Sequence, residues 1–347
     1  MDYTILFLTS GLFLGWSLGA NDAANIFGTA VGAKVIRFRT AAIIMSTFVI
    51  MGAVASGSGA SHTLGKLGAI STLPGAFIVA LSAGLTVFVM TRYGLPVSTS
   101  QSIVGAIVGW NLFTSNPTSL STLSKIVMTW FLCPILAAMF SIIFYKIFKN
   151  RTKKLKLNLF LRHYFIRIGL IMVGAFGAYS LGANNIANVM GVFTNSIDLD
   201  SLDLYFFTFN KTQFLFLIGA IAIAIGIFTY SKNVMSTVGN SLYKLSPPTA
   251  LIVVLSSSFV LFIFASVSLQ QFLISINLPP IPLVPVSSSQ AVVGSIIGIG
   301  IAKGDRNINY EKLKMISVGW LLTPTISLIL SYVSLFFMQN VFMQNVL

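Results

Sequence analysis

Ten apolar stretches run along the chain, near residues 4–31, 40–58, 75–91, 94–113, 124–146, 164–195, 213–230, 249–268, 281–302 and 315–338. Several reach the ~20 residues that a helix needs to cross a hydrocarbon core. Backbone groups in lipid must be satisfied within their own segment, so such a chain folds as a set of spanning helices. Only 8% of the 347 residues are charged and mean hydropathy is +0.90, whereas a soluble domain carries roughly 25% charged residues. The fold class is therefore an all-α polytopic membrane protein. The N-terminus MDYTILFLTS has no Lys or Arg ahead of its apolar run, which favours a retained first span over a cleaved signal peptide.

The net charge of +14 is explained by topology rather than by nucleic-acid binding. Lys and Arg accumulate on the cytoplasmic side of membrane proteins. If the N-terminus lies outside and each stretch crosses once, all of the 21 Lys and Arg except Lys66, Lys125 and Lys211 fall inside. The acidic group Asp198, Asp200 and Asp203 falls outside. Both termini are predicted external, and the cell membrane is the expected location. A re-entrant hairpin in place of a crossing would change the span count more than the orientation. Cys133 is single and apolar in context, so it reads as core filling. His62 and His163 are far apart, in stretches that read as polar loops.

The chain also repeats. LGANDAAN at 18–25 returns as LGANNIAN at 181–188, and LPVSTSQSIVGAIVG at 95–109 returns as VPVSSSQAVVGSIIG at 284–298. Trp130 with Pro134 returns as Trp320 with Pro324. Five stretches per half is an odd number, so the second half enters the membrane from the opposite face. This predicts two inverted-topology repeats, over 1–150 and 164–347, with broken helices and re-entrant hairpin-like segments. A short basic cytoplasmic linker, 151–163, joins them, within KIFKNRTKKLKLNLFLRHYFIR at 146–167.

Asp22 is the only acidic residue inside an apolar stretch, and the only Lys or Arg within the stretch bounds, Lys125, Lys146 and Arg167, lie at stretch ends rather than in an interior where they could pair with it. A buried carboxylate costs several kcal/mol unless paired or coordinated. On a helix, Asn21, Asp22 and Asn25 share one face, as do Asn184, Asn185 and Asn188. Carboxylate, amide and carbonyl oxygens suit a hard alkali cation, and a proton is the other inexpensive partner. Gly15 and Gly19 suggest a local break that would offer backbone carbonyls. Interhelical packing by Asn beside the small residues Ala24, Gly28 and Gly32 is the plainer explanation. Two copies at matched repeat positions weigh against it.

PVSTSQ and PVSSSQ place hydroxyls and an amide behind a proline at a helix start. Free N–H groups, hydroxyls and the positive helix end make an anion cradle. Ordinary Ser/Thr capping is the plainer reading of either copy alone. HTLGKLG at 62–68 and MSTVGNSLYKL at 235–245 form a weaker echo with no assigned role. An anion in this interior would meet no cationic side chain, so co-bound cations must offset its charge. That favours cation-coupled symport over simple anion conduction.

GANDAAN and GANNIAN, with the paired PVSTSQ and PVSSSQ, resemble the inorganic phosphate transporter (PiT) family of sodium- or proton-coupled symporters, over about 3–338. The resemblance implies phosphate import with no enzymatic cofactor, inverted repeats, external termini and commonly a homodimer. It also implies a central site. Phosphate is expected on Ser98, Thr99, Ser100, Ser287, Ser288 and Ser289, with Asn25 and Asn188. Sodium is expected on Asn21, Asp22, Gln101, Asn184, Asn185 and Gln290. Two departures bear on coupling. Asn185 stands where the family's second motif often has Asp, which removes a charge. Both hairpin motifs end in Ser-Gln rather than the Thr-Thr-His often found, which favours sodium over protons.

The alternatives are a sulfate permease on the same scaffold, a proton-coupled phosphate symporter, an anion channel and an intramembrane enzyme. Channels for anions favour Lys or Arg rings, which the stretches lack. They also lack a histidine pair, a two-carboxylate set and a Ser–Lys dyad, so an enzyme is not expected.

Overall fold

The computed structural model describes residues 2–93, 97–154, 158–197, 201–204, 207–238, 245–304 and 309–346. Pro96, Lys156, Asp198, Asp200, Lys244 and Arg306, which entered the sequence reading, lie outside the described residues. The helices are α1 (Asp2–Gly32), α2 (Phe38–Ser56), α3 (Ser58–Leu67), α4 (Leu73–Arg92), α5 (Thr99–Thr114), α6 (Leu120–Lys154) and α7 (Leu159–Met190). They continue as α8 (Lys211–Thr229), α9 (Ser231–Val238), α10 (Pro247–Ala265), α11 (Val267–Ser275), α12 (Ser288–Lys303) and α13 (Tyr310–Asn340). A small antiparallel hairpin pairs β1 (Leu202–Leu204) with β2 (Phe207–Phe209), and Asp203 lies on it.

Among the described residues, eight helices are long and apolar enough to span a membrane: α1, α2, α4, α6, α7, α8, α10 and α13. The other two predicted stretches contain α5 and α12, of 16 residues each, about 24 Å at helical rise. Each is entered by non-helical chain and begins on a serine cap. At 16 residues each, both fall short of the ~20 residues of a full crossing. Pro74 and Pro247 start α4 and α10 at their first turns, where the missing N–H costs nothing. Pro134 and Pro324 lie inside α6 and α13, which continue through them.

The expected helix break at Gly15 and Gly19 does not occur. α1 is continuous from Asp2 to Gly32, and α7 is continuous through the matching Gly182. These glycines serve close backbone approach instead. A Cβ on Gly19 would lie 2.0 Å from the Ile223 carbonyl oxygen, and one on Gly182 would lie 2.1 Å from that of Val49. Reciprocally, Gly52 meets the Tyr179 carbonyl and Gly226 that of Trp16. α1 thus packs on α8, and α2 on α7. The same exchange recurs where Gly105 of α5 meets Pro324 of α13 and Gly294 of α12 meets Pro134 of α6. The repeated motifs therefore occupy matching places, each against the other half. α1 and α7 run in opposite directions, since Gly11 lies by Phe193 while Phe27 lies by Gly174.

Large apolar side chains are exposed on the outer surface, and a set of polar side chains is buried within a mostly apolar core. Phe131, Leu132 and Ile135 of α6 and Leu321 and Leu322 of α13 are exposed. Cys133 is fully buried, as expected of a core filler. The two histidines are not loop residues, as the sequence suggested: His62 lies in α3 and His163 in α7. The basic linker is largely helical, formed by the end of α6 and the start of α7.

Candidate functional site

All fourteen residues singled out in the sequence are buried, none more than 8% exposed. α1 supplies Asn21, Asp22 and Asn25. α7 supplies Asn184, Asn185 and Asn188. The N-termini of α5 and α12 bring the two serine motifs between them. The halves are joined there by direct hydrogen bonds. Asn25 Nδ2 donates to Ser288 Oγ at 3.0 Å, and Asn188 Nδ2 donates to Ser100 Oγ at 2.9 Å.

The asparagines also hold the chain that enters each short helix. Asn21 Nδ2 donates to the Val97 carbonyl at 3.3 Å. Asn184 Nδ2 donates to the Val284 carbonyl at 3.3 Å, and its Oδ1 accepts from Val286 N at 2.9 Å. A side-chain amide satisfies backbone groups that would otherwise be orphaned in lipid. Ser98 and Ser287 cap α5 and α12, accepting from Gln101 N at 3.2 Å and Gln290 N at 3.3 Å. Ser287 also lies 3.0 Å from Ser289. Ser100 Oγ is a junction, with Asn185 Oδ1 at 3.3 Å and the Val286 carbonyl at 3.1 Å besides Asn188.

Asp22 accepts from Asn21 Nδ2 at 2.8 Å and is hydrogen-bonded by the Ser288 side chain. Among the described residues no Lys or Arg is buried. The polar atoms without a partner are as informative. Gln101 Oε1, Gln290 Oε1, Asn188 Oδ1, Thr99 Oγ1 and Asn185 Nδ2 are all buried and unpaired. Three are carbonyl oxygens, the donor type that hard cations take. Unmet polar atoms are costly in a low-dielectric interior, and nine further buried atoms, Ser17 Oγ and Ser331 Oγ among them, are also without a partner among the described residues.

Sequence reasoning missed Thr91. Its Oγ1 donates to Asn21 Oδ1 at 3.3 Å from the end of α4. It also missed the carbonyls of Val97 and Val284, because backbone groups carry no residue-type signal. The Cys133 thiol, 3.6 Å from the Ser287 carbonyl, likewise touches the frame of the site.

The family profile described as the phosphate transporter family matches residues 18–163, 150–331 and 282–346, nearly the whole chain. This chain belongs to the phosphate transporter family. A member of that family is a permease, not an enzyme, and the chain is an integral membrane protein. Among its relatives is a "Putative phosphate permease" of Methanocaldococcus jannaschii, 28% identical, with 94% of this chain and 95% of the relative aligned. Another is the sulfate permease CysP of Bacillus subtilis, 30% identical, with 94% of this chain and 86% of the relative aligned. A solved structure titled "The sodium-dependent phosphate transporter" shares the fold, with a TM-score of 0.73 at 23% identity. The alignment spans 96% of this chain and 99% of that one. In this phosphate transporter family member, both copies of each repeated motif reach one buried polar centre.

Proposed function

We propose that the protein imports inorganic phosphate across the cell membrane by symport with sodium, binding both near the bilayer midplane between two inverted-topology repeats. The observation that carries this reading is the buried centre. Hydroxyl and amide groups from both halves meet around one carboxylate, with no cationic side chain buried among the described residues and with carbonyl oxygens left unpaired. Phosphate would lie against Ser100, Ser288, Asn25, Asn188 and the free N–H groups at the starts of α5 and α12. Sodium would lie by Asp22 and the unpaired oxygens of Gln101 and Gln290, neutralising the anion that no Lys or Arg reaches. Asn185 in place of a second carboxylate implies fewer or weaker cation sites than a two-aspartate centre would have. The basic residues favour external termini.

The test is labelled phosphate uptake in proteoliposomes, with sodium and proton gradients imposed separately. An inward sodium gradient is expected to drive accumulation and a proton gradient alone is not. Accumulation on a proton gradient without sodium would overturn sodium coupling. Steady uptake with neither gradient would mark a channel.

Sulfate is the second reading, favoured by the similarity to the sulfate permease. The two anions share shape, but phosphate can also donate a hydrogen bond, and the unpaired Asn188 Oδ1 is a buried acceptor for it. Phosphate uptake unaffected by excess sulfate would retire that reading. Ser100→Ala and Ser288→Ala each remove a hydroxyl that joins the halves. Each is expected to raise the KM for phosphate about tenfold, about 1.4 kcal/mol, with a smaller change in sodium dependence. Equal losses for both ions would point to packing instead.

A further inference from the structure

α3 has a polar face that plays no part in the central site. Ser58, Ser61, His62 and Lys66 recur at helical spacing along one side, while Ala60, Leu64 and Leu67 are buried on the other. Across from the polar face stand Thr194 and Asn195, just beyond α7, and Thr212 in the first turn of α8. Between them is an open cavity of about 380 Å³. Its lining carries an ammonium, an imidazole, hydroxyls and an amide, and among the described residues no carboxylate. Such a set of donors suits an anion with several oxygens and would repel a bare cation.

The cavity adjoins the buried centre. Ser61 is buried at its base, with its Oγ 3.5 Å from where a Cβ on Gly191 would stand. Gly191 caps α7 only three residues beyond Asn188. The neighbouring Thr63 donates to the Leu283 carbonyl, on the extended chain that leads into Ser287. α3 therefore covers the end of one site-bearing helix and is tied to the approach to the other. Lys66 is exposed, and it is one of only three basic residues that the topology leaves on the external side.

We infer that this cavity is an outer docking site for a tetrahedral oxyanion, phosphate or sulfate, which Lys66 and His62 attract before it passes to the cation-dependent centre beneath. The inference rests on the transport reading above. It also accounts for the division of labour along the path. A fixed positive charge at the mouth raises local anion concentration. A centre without one can release its anion once the cations leave.

The test compares the wild type with Lys66→Glu and Lys66→Arg in proteoliposomes, measuring initial phosphate uptake from each face of the protein. Lys66→Glu is expected to raise the KM from the α3 side about fivefold. The maximal rate, the sodium dependence and the KM from the opposite side should stay at wild-type values, and Lys66→Arg should restore the KM. An unchanged KM from the α3 side would overturn the docking site while leaving transport intact. An equal KM change from both faces, or a fall in maximal rate alone, would also overturn it, since either marks a structural role. Should the wild type carry sulfate and not phosphate, the substrate reading fails, yet the same one-sided KM change for sulfate upholds the docking site. Liposomes of purely zwitterionic lipid form the second arm. A KM change that disappears there means the cavity holds an anionic headgroup, and the proposal falls.

Discussion

Asp22→Asn is expected to abolish coupled uptake while leaving a folded, membrane-inserted protein. The amide has nearly the shape of the carboxylate, and its oxygen can still accept from Asn21, now 2.8 Å away. Only the charge is lost. Because Asp22 is the only buried ionic side chain among the described residues, nothing else nearby can hold a monovalent cation by charge. A loss of at least about a hundredfold in sodium-driven uptake follows, equal to roughly 3 kcal/mol of ion binding. Uptake per mole of monodisperse protein is the measurement. Normal accumulation by the variant would show that Asp22 holds no transported ion.

Gly19→Ala is the substitution with the largest expected effect on folding. Its new methyl group would lie 2.0 Å from the Ile223 carbonyl oxygen, which belongs to another helix backbone and cannot rotate away. Gly182→Ala meets the Val49 carbonyl at 2.1 Å. Each is expected to cost more than about 3 kcal/mol, at the upper end of overpacking penalties. The expected signs are a large drop in melting temperature and in monodisperse yield. Gly319→Ala is the control, since nothing lies within 4 Å of its added carbon. Gly319 is itself buried but has open space beside it, so within a helix the change should be neutral or stabilise by up to about 1 kcal/mol. Equal behaviour of all three variants would show that the close approaches do not govern stability.

Much of the candidate site was legible because charge and amide groups are so conspicuous in an apolar chain. Asp22 stood out by its isolation, and the asparagines and serines stood out by recurring. All of them are buried, and both motif pairs meet. The local conformation of α1 was not legible. Glycine in an apolar run signals either a broken helix or close packing, and only the position of α8 decides between them. Spans were also hard to count. Residues 94–113 are apolar enough to cross, but the serine cap at Ser98 confines the helix to 16 residues. Thr91 escaped notice because a hydroxyl at the end of an apolar helix usually bonds to its own backbone. The helical state of His62 was hidden by the short, weakly apolar sequence of α3.

The glycine-to-carbonyl seams have a consequence for biogenesis. Gly19 finds its seat on Ile223, and Asn25 finds its hydroxyl partner on Ser288, both in the half that the ribosome completes last. Until then α1 must sit in the bilayer with Asn25 lacking its Ser288 partner, although Asn21 can already reach Val97, Thr91 and Asp22 of the first half. The newborn first half therefore needs a protected berth, such as the insertion machinery or a neighbouring helix, and stays vulnerable to quality-control proteolysis until the second half arrives.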